Sequence, residues 1–138
     1  MQQVEIMQQM LPEVSPEAVI DSESKYYLDE INKIRVNNGL KPLKLDNTLI
    51  SAANTRAQEA SQLWSHTRPD GTQFNTASNA IVGENLAYSN APKETVIKEW
   101  LESPSHRDIL LADDISTAGL SVYNDNGIYY IALEVGQE

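Results

Sequence analysis

The last quarter of the chain carries the pattern that most restricts its fold. Residues 115–136 read ISTAGLSVYNDNGIYYIALEVG, in which two strand-like runs flank the dipeptide Asn126-Gly127. An Asn-Gly pair between two such runs is a strong hairpin signal, because both residues tolerate the positive φ angles of a two-residue turn. With the helices predicted earlier in the chain, this hairpin indicates an α+β fold in which helices surround a small antiparallel sheet.

Helical periodicity dominates residues 21–64. The first helix is expected to begin at Asp21 or Ser22 and to end at the Asn-Asn-Gly of residues 37–39, a typical C-terminal stop. A second helix is expected from Asp46, its N-cap, to about Trp64. One side of this second helix is a stripe suited to close packing, which consists of Leu49, Ala53, Ala57 and Ala60.

A long segment rich in turn-forming residues follows, and it ends near residue 90. Loops of this length in a small domain are usually functional or disordered, so the segment is a candidate for a site. Within it, ENLAY at 84–88 alternates as a short strand does. Pro92 is expected to open a third helix that runs to about Glu102, and Ser103 with Pro104 is expected to start a fourth.

The length and composition favour one compact domain. The chain has 138 residues, of which 41% are hydrophobic, and this suits a single core. Residues 1–21 are expected to form a linker or arm, because Pro12 and Pro16 interrupt their short apolar repeat. Residues 22–138 are expected to form the domain, which we predict to be a monomer.

Charge and cysteine content exclude several kinds of partner and chemistry. Twenty acidic residues against ten basic ones give a net charge of −10, which repels nucleic acid and anionic lipid surfaces. No apolar run approaches the roughly 20 residues of a membrane span, and the first residues lack the pattern of a signal peptide. The absence of cysteine excludes disulfides, thiolate nucleophiles and sulfur ligands for metals.

Three residues stand out as candidates for a site. His66 and His106 both lie beside turns, where a histidine can serve a shared site or simply bond a loop carbonyl. Glu84 lies in an otherwise apolar strand, so it must face a partner or water. Its alternative roles are those of a solvent-facing residue on an edge strand, or of an anchor for the long loop through backbone N–H groups.

No residue has the setting of an activated nucleophile. The chain has no Gly-x-Ser-x-Gly elbow, and three serines are better explained as turn or cap residues, namely Ser65, Ser103 and Ser105. Catalysis would therefore need an activated water, with Glu84 or a histidine as the base.

Three motifs in order resemble bacterial members of the CAP superfamily, also called SCP-like domains. They are HTRPDGT at 66–72, GENLAY at 83–88 and WLESPSHRDIL at 100–110, and the resemblance covers roughly residues 22–135. It implies a three-layer α-β-α sandwich with a central cleft lined by two histidines and two acids. It also implies an extracellular or cell-surface location, with a signal peptide that is absent from this chain.

The resemblance assigns three of the four cleft positions to His66, Glu84 and His106. At the fourth position many relatives have a glutamate, whereas this chain has Ser103. Of the neighbouring acids, Glu99 flanks the apolar side of the third helix while Glu102 lies opposite it, so Glu99 is the better substitute. A site with three members is the alternative.

Several functions are compatible with such a cleft. Two imidazoles and a carboxylate suit zinc or another divalent metal, with His66 and His106 as ligands; the alternative is a metal-free cluster in which glutamates orient histidines. We expect a module that binds a peptide, glycan or lipid, and we assign no catalytic residue. The alternatives are a metal-assisted hydrolase that uses the same cleft and an extracellular scaffold domain.

Overall fold

The computed structural model describes residues 21–138, and the elements below are those of this part of the chain. The predicted arm lies outside the described residues apart from Asp21, which caps the first helix. In chain order the elements are α1 (Ser22–Asn37), β1 (Lys44–Leu45), α2 (Asn47–Gln62), a 3₁₀ helix (Phe74–Ala77), β2 (Ile81–Ser89), α3 (Lys93–Glu102), α4 (Pro104–Leu110), β3 (Thr117–Asp125) and β4 (Ile128–Gly136).

The sheet has the strand order β1-β3-β4-β2. The predicted hairpin is confirmed: β3 and β4 pair antiparallel, and the turn residues Asn126 and Gly127 have φ angles of 52° and 91°. β2 pairs antiparallel with β4 and forms one edge of the sheet. The sheet is nevertheless mixed, because the two-residue β1 pairs parallel with β3. A strand of two residues is too short to leave an alternating pattern in the sequence.

Helices cover both faces of the sheet, so the three-layer α-β-α architecture is confirmed. On one face, α2 packs closely on β3 and β4, and its small side chains Ala57 and Ala60 meet Leu86 and Ala132 of the sheet. On the other face, α1, α3 and α4 enclose the larger core, which includes Ile31, Val96, Trp100, Leu110, Leu120, Ile131 and Leu133. Alternate strand residues thus serve the two cores.

The predicted helix starts are confirmed by their caps. The Asp21 carboxylate accepts a hydrogen bond from the backbone N–H of Ser24 at 2.8 Å, and Asp46 accepts one from Leu49 at 3.1 Å. The second helix ends at Gln62, two residues before the predicted end. β2 is longer than the predicted ENLAY strand, because pairing with β4 extends it in both directions.

Candidate functional site

The site is built around the Glu84 side chain, which is fully buried in an ion pair. Arg56, on α2, donates to both carboxylate oxygens of Glu84, from Nε at 2.8 Å and from Nη2 at 3.0 Å. Both side chains have zero exposure. Although β2 is an edge strand, Glu84 therefore faces inward toward α2. A fully buried carboxylate is tolerated here because a bidentate guanidinium compensates its charge.

Arg56 also ties the long loop to this ion pair. Its Nη2 donates to the carbonyl oxygen of Ser65 at 2.8 Å, and its Nη1 donates to Glu59 at 2.9 Å. Glu59 in turn accepts from the Arg68 guanidinium at 2.8 Å. Residues 65–68 are thus fixed to α2 by charge-assisted hydrogen bonds, which are stronger than hydrogen bonds between neutral groups.

His66 receives its orientation from Glu84. Its Nδ1 lies 2.7 Å from Glu84 Oε1, and its ring meets Phe74 edge-on at 5.8 Å between centroids. Because Glu84 is a carboxylate, Nδ1 carries the hydrogen that joins them, and no hydrogen bond within residues 21–138 engages Nε2. The side chain is 53% exposed, so this nitrogen is accessible from outside.

Glu134 is the buried neighbour of Glu84 on β4. The two residues are directly paired across the strands, and Glu134 has no exposure. Among residues 21–138, no donor reaches either carboxyl oxygen of Glu134. Burial raises the pKa of Glu134 well above its usual range, and so does a hydrogen bond to Glu84. Glu134 is therefore a neutral acid whose own proton supplies the missing donor toward Glu84.

Glu84 itself stays ionised. Burial alone would raise the pKa of Glu84, but hydrogen bonds from His66, Glu134 and Arg56 outweigh it and lower that pKa below its ordinary value. The two carboxyl groups thus hold one proton between them, as adjacent buried acids do.

His106 approaches the edge strand from the other helical layer. It lies in the first turn of α4, and its Nδ1 is 2.8 Å from the Ser103 hydroxyl. Its ring stacks on Trp100 with 6.5 Å between centroids, and its backbone carbonyl accepts from the Asn85 side chain at 3.0 Å. Burial lowers the pKa of His106, and the nearby His66 lowers it further. The imidazole is therefore neutral near pH 7, and no hydrogen bond within the described part of the chain engages its Nε2.

The structure brings the four predicted residues together only in part. His66 and Glu84 are in direct contact on the α2 side of β2, whereas His106 lies on the α4 side. Glu99 is exposed and lines one groove with His106. Within the described residues, no hydrogen bond joins His106 to His66 or Glu84, and Glu99 bonds neither histidine.

This groove has a volume of about 410 Å³. It runs along the β2 edge, between the end of α2 and the junction of α3 with α4. Its lining comprises Trp64, Leu86, Ala87, Tyr88, Glu99, Trp100, Ser103 and His106. The lining thus combines aromatic rings with hydroxyl, imidazole and carboxylate groups.

Sequence reasoning missed Arg56, Glu134 and the contact made by Ser103. Arg56 carries a detectable signal, since it lies on the same stripe of α2 as Leu49, Ala53 and Ala60. A charged residue in such a stripe must be compensated inside the protein. Ser103 is the N-cap residue of α4 as predicted, but its hydroxyl contacts the His106 ring and makes no cap hydrogen bond.

The described residues only partly suit a metal. Each histidine has Nδ1 engaged by a polar side chain and Nε2 free, as ligating histidines usually have. However, Glu84 is committed to Arg56, and no group of three His, Asp or Glu side chains in residues 21–138 is arranged to hold an ion. The donor set is that of a two-nitrogen site.

None of the helices within residues 21–138 is both long enough and apolar enough to cross a bilayer.

Comparison with known proteins identifies relatives. "Uncharacterized protein YkwD" of Bacillus subtilis (strain 168) is 27% identical over 118 residues, which cover 80% of this chain and 46% of that protein. This chain thus spans less than half of that relative's length.

Two solved bacterial structures share the fold. An outer surface protein from Borrelia burgdorferi aligns with a TM-score of 0.72 and 23% identity, over 86% of this chain and 96% of that one. An extracellular protein containing an SCP domain from Bacillus anthracis aligns with a TM-score of 0.72 and 21% identity, over 83% of this chain and 40% of that one.

A family model also matches the chain. The matching model is CAP, described as the cysteine-rich secretory protein family, and it covers residues 28–135, most of the domain. The chain therefore belongs to the cysteine-rich secretory protein family, although its 138 residues include no cysteine.

Proposed function

We propose that this chain is an extracellular or cell-surface binding module whose ligand occupies the groove beside His106 and Glu99. The location is supported by the family and by the bacterial structures with the same fold, one an outer surface protein and one an extracellular protein. The ligand class is a peptide, a glycan or a lipid. The groove volume of about 410 Å³ is within the range of small-ligand sites.

The main support for this proposal is that hydrogen bonds within the protein already occupy the Glu84 carboxylate. Both of its oxygens accept from Arg56, one also contacts His66, and the side chain has no exposure. A general base must come within hydrogen-bond reach of the proton it removes, directly or through one water. Glu84 instead orients His66, so binding is favoured over hydrolysis by activated water.

We further propose that the two free Nε2 atoms, of His66 and His106, bind a divalent metal such as zinc. Imidazole nitrogen suits zinc, and these are the only histidines in the chain. When bound, zinc would polarise an oxygen atom of the ligand. With two nitrogens and no thiolate, affinity must depend on both histidines.

Calorimetric zinc titration tests this assignment. We expect His66→Ala and His106→Ala each to weaken binding roughly tenfold or more, because each removes half of the nitrogen ligands. Glu102→Gln, which removes an exposed carboxylate outside the groove lining, is the control and should bind zinc as the wild type does. Zinc affinity that is unchanged in both histidine variants would refute the metal site.

The zinc affinity should also decrease as the pH is lowered. Ligation requires neutral imidazole, and burial together with His66 lowers the pKa of His106. Protonation of His106 should therefore reduce zinc binding only below about pH 6.5, the usual histidine range. An affinity that does not change between pH 7.5 and pH 5 would exclude His106 as a ligand.

A hydrolase screen on the wild type and the two histidine variants separates binding from catalysis. Peptide, ester and glycoside substrates should show no turnover above that of buffer. Robust turnover by the wild type that both histidine variants lose would replace the binding proposal with the hydrolase alternative. A partner that binds the wild type and both histidine variants equally, on a surface outside the groove, would support the scaffold alternative.

A further inference from the structure

Three tyrosines lie side by side on the sheet, just beyond the end of α2. Tyr130, on β4, is the direct cross-strand partner of Tyr88 on β2 and of Tyr123 on β3. Cross-strand partners point to the same face, which is here the face that α2 covers. Because α2 ends at Gln62, it leaves this row only partly covered.

Trp64 completes an exposed aromatic surface. Its ring stands edge-on to Tyr88 with 4.7 Å between centroids and lies 6.4 Å from Tyr130. Trp64 is 49% exposed and Tyr88 is 55% exposed. We call Trp64, Tyr88 and Tyr130 the aromatic platform. Large side chains that expose this much apolar surface next to a groove are typical of binding sites.

The charges around the aromatic platform favour a positively charged ligand. Trp64 and Tyr88 line the same groove as Glu99 and His106, and that lining contains no lysine or arginine. Glu99 is exposed. The chain as a whole carries a net charge of −10. Electron-rich ring faces beside a carboxylate attract a cation.

We propose that the groove binds a short, extended, positively charged peptide, with an arginine side chain over the aromatic platform and near Glu99. This deepens the proposed function, on which it rests, by naming the ligand class. Guanidinium is favoured because it stacks on aromatic faces and pairs with carboxylates. The Ser103 hydroxyl, which lines the same groove, can hydrogen-bond the peptide backbone.

The probe is the peptide acetyl-Gly-Arg-Gly-Arg-Gly-amide, compared with the same peptide carrying citrulline in place of arginine. Citrulline keeps the shape of arginine and removes its charge. In calorimetry at low salt we expect the arginine peptide to bind about tenfold more tightly, and we expect 0.5 M NaCl to reduce this ratio. Equal binding of the two peptides would overturn the proposal.

Platform variants locate the binding. Trp64→Ala and Tyr88→Ala should each weaken arginine-peptide binding by about three- to tenfold, the contribution of one cation–π contact. Trp64→Phe keeps an aromatic face and should retain most of the affinity. Glu99→Gln should lower the arginine-to-citrulline ratio. Unchanged affinity in both alanine variants, with folding checked by circular dichroism, would refute the platform.

Tyr129→Ala is the matched control. Tyr129 precedes Tyr130 on β4, is 38% exposed and lines a different pocket together with Tyr27 and Ile131, on the opposite face of the sheet. Its replacement should leave peptide binding unchanged. A loss as large as that of Tyr88→Ala would show that the effect is general and not specific to the platform.

Two further measurements separate this inference from the proposed function. Trp64→Ala should keep wild-type zinc affinity, so loss of peptide binding with zinc retained would support a peptide site distinct from the metal ligands. The second measurement uses a neutral chito-oligosaccharide. If the wild type binds it more tightly than the arginine peptide and Trp64→Ala loses that binding, the peptide assignment is overturned, while the proposed binding module stands.

Discussion

The Glu134 carboxyl lies between the sheet and α2, opposite Glu84 on the neighbouring strand. One guanidinium, that of Arg56, serves this pair of acids, and it donates to Glu84. A second buried negative charge would be uncompensated, so Glu134 keeps its proton. Glu134 donates this proton in a hydrogen bond to Glu84 on the neighbouring strand. Glu84 stays ionised and can accept the hydrogen bond that orients His66.

Glu134→Gln tests the protonation state. The folded chain holds the Glu134 proton more tightly than the unfolded chain does, because burial and Glu84 raise the pKa of Glu134. Folding stability must therefore fall as pH rises above the unfolded value of about 4.3, until the raised pKa is passed. The uncharged amide removes this loss, so Glu134→Gln should raise the melting temperature at pH 8 and change it little at pH 4.

Glu59→Gln is the control of opposite sign. Burial would raise the pKa of Glu59, but hydrogen bonds from Arg68 and Arg56 lower it overall. An ionised Glu59 thus stabilises the fold at neutral pH, and that stabilisation is lost as pH falls through its lowered pKa. Glu59→Gln should lower the melting temperature at pH 8. A Glu134→Gln protein that is less stable than wild type at pH 8 would show that Glu134 is ionised in the fold.

A second buried arginine has a purely structural environment. Arg35, at the end of α1, donates to the backbone carbonyls of Lys41, Leu110 and Ala112 at 2.8–2.9 Å. Burial lowers its pKa, and among residues 21–138 no carboxylate forms an ion pair with it. These bonds hold the turn after α1 against the turn after α4, which fixes where α4 carries His106.

At the level of elements, the closeness of α2 to the sheet decides whether the site can form. The small residues Ala53, Ala57 and Ala60 are almost fully buried, and they allow α2 to lie directly on β3 and β4. Gly119 on β3 faces the backbone of α2 at Leu49 and Ile50. At this separation Arg56 of α2 reaches Glu84 of the sheet, with 2.8 Å between Nε and Oε2.

Gly119→Ala should be strongly destabilising. The added methyl group would overlap the backbone of Leu49 and Ile50, which cannot move as the end of a flexible side chain could. Overpacking of a core commonly costs about 1–3 kcal/mol, and a clash with backbone lies at the upper end of this range or above it. Urea unfolding would measure the loss.

Ser121→Ala is the matched control, since it lies two residues further along β3 on the same face and loses an atom. It should change the free energy of unfolding by less than about 1 kcal/mol, because no packing clash is introduced. Equal stability of Gly119→Ala and Ser121→Ala would show that α2 can shift away from the sheet without cost.

At the scale of the whole molecule, residues 21–138 contain every element and contact described above. We propose that residues 1–20 are dispensable for folding, because their apolar pattern is short and interrupted by proline. The family model likewise begins at residue 28.

A protein lacking residues 1–20 tests this proposal. It should melt within about 2 °C of the full chain, since a segment with a short, proline-interrupted apolar pattern is expected to add little to the free energy of unfolding. Differential scanning calorimetry of both proteins gives the comparison. A melting temperature lowered by ten degrees or more would show that the arm belongs to the core.

The sequence alone determined those features that depend on a few neighbouring residues. Asp21 and Asp46 cap helices through N–H groups three residues away, and Asn126-Gly127 sets its own turn. Such signals depend only on neighbouring residues, so they do not depend on the tertiary structure. The three motifs predicted His66, Glu84 and His106 as site residues, because these motifs resemble those of a family, and this assignment stays a prediction.

Tertiary structure alone decided what each of these residues contacts. Glu84 lies 28 residues from Arg56 and fifty from Glu134, and no local pattern encodes either pairing. Strand register and the distance between α2 and the sheet determine these pairings. The two-residue β1 likewise depends on its pairing with β3. Ser103, rather than Glu99, contacts His106, because the start of α4 places the hydroxyl against the ring. Burial then sets the charge of each acid, since an ion removed from water needs a partner that only the folded chain supplies.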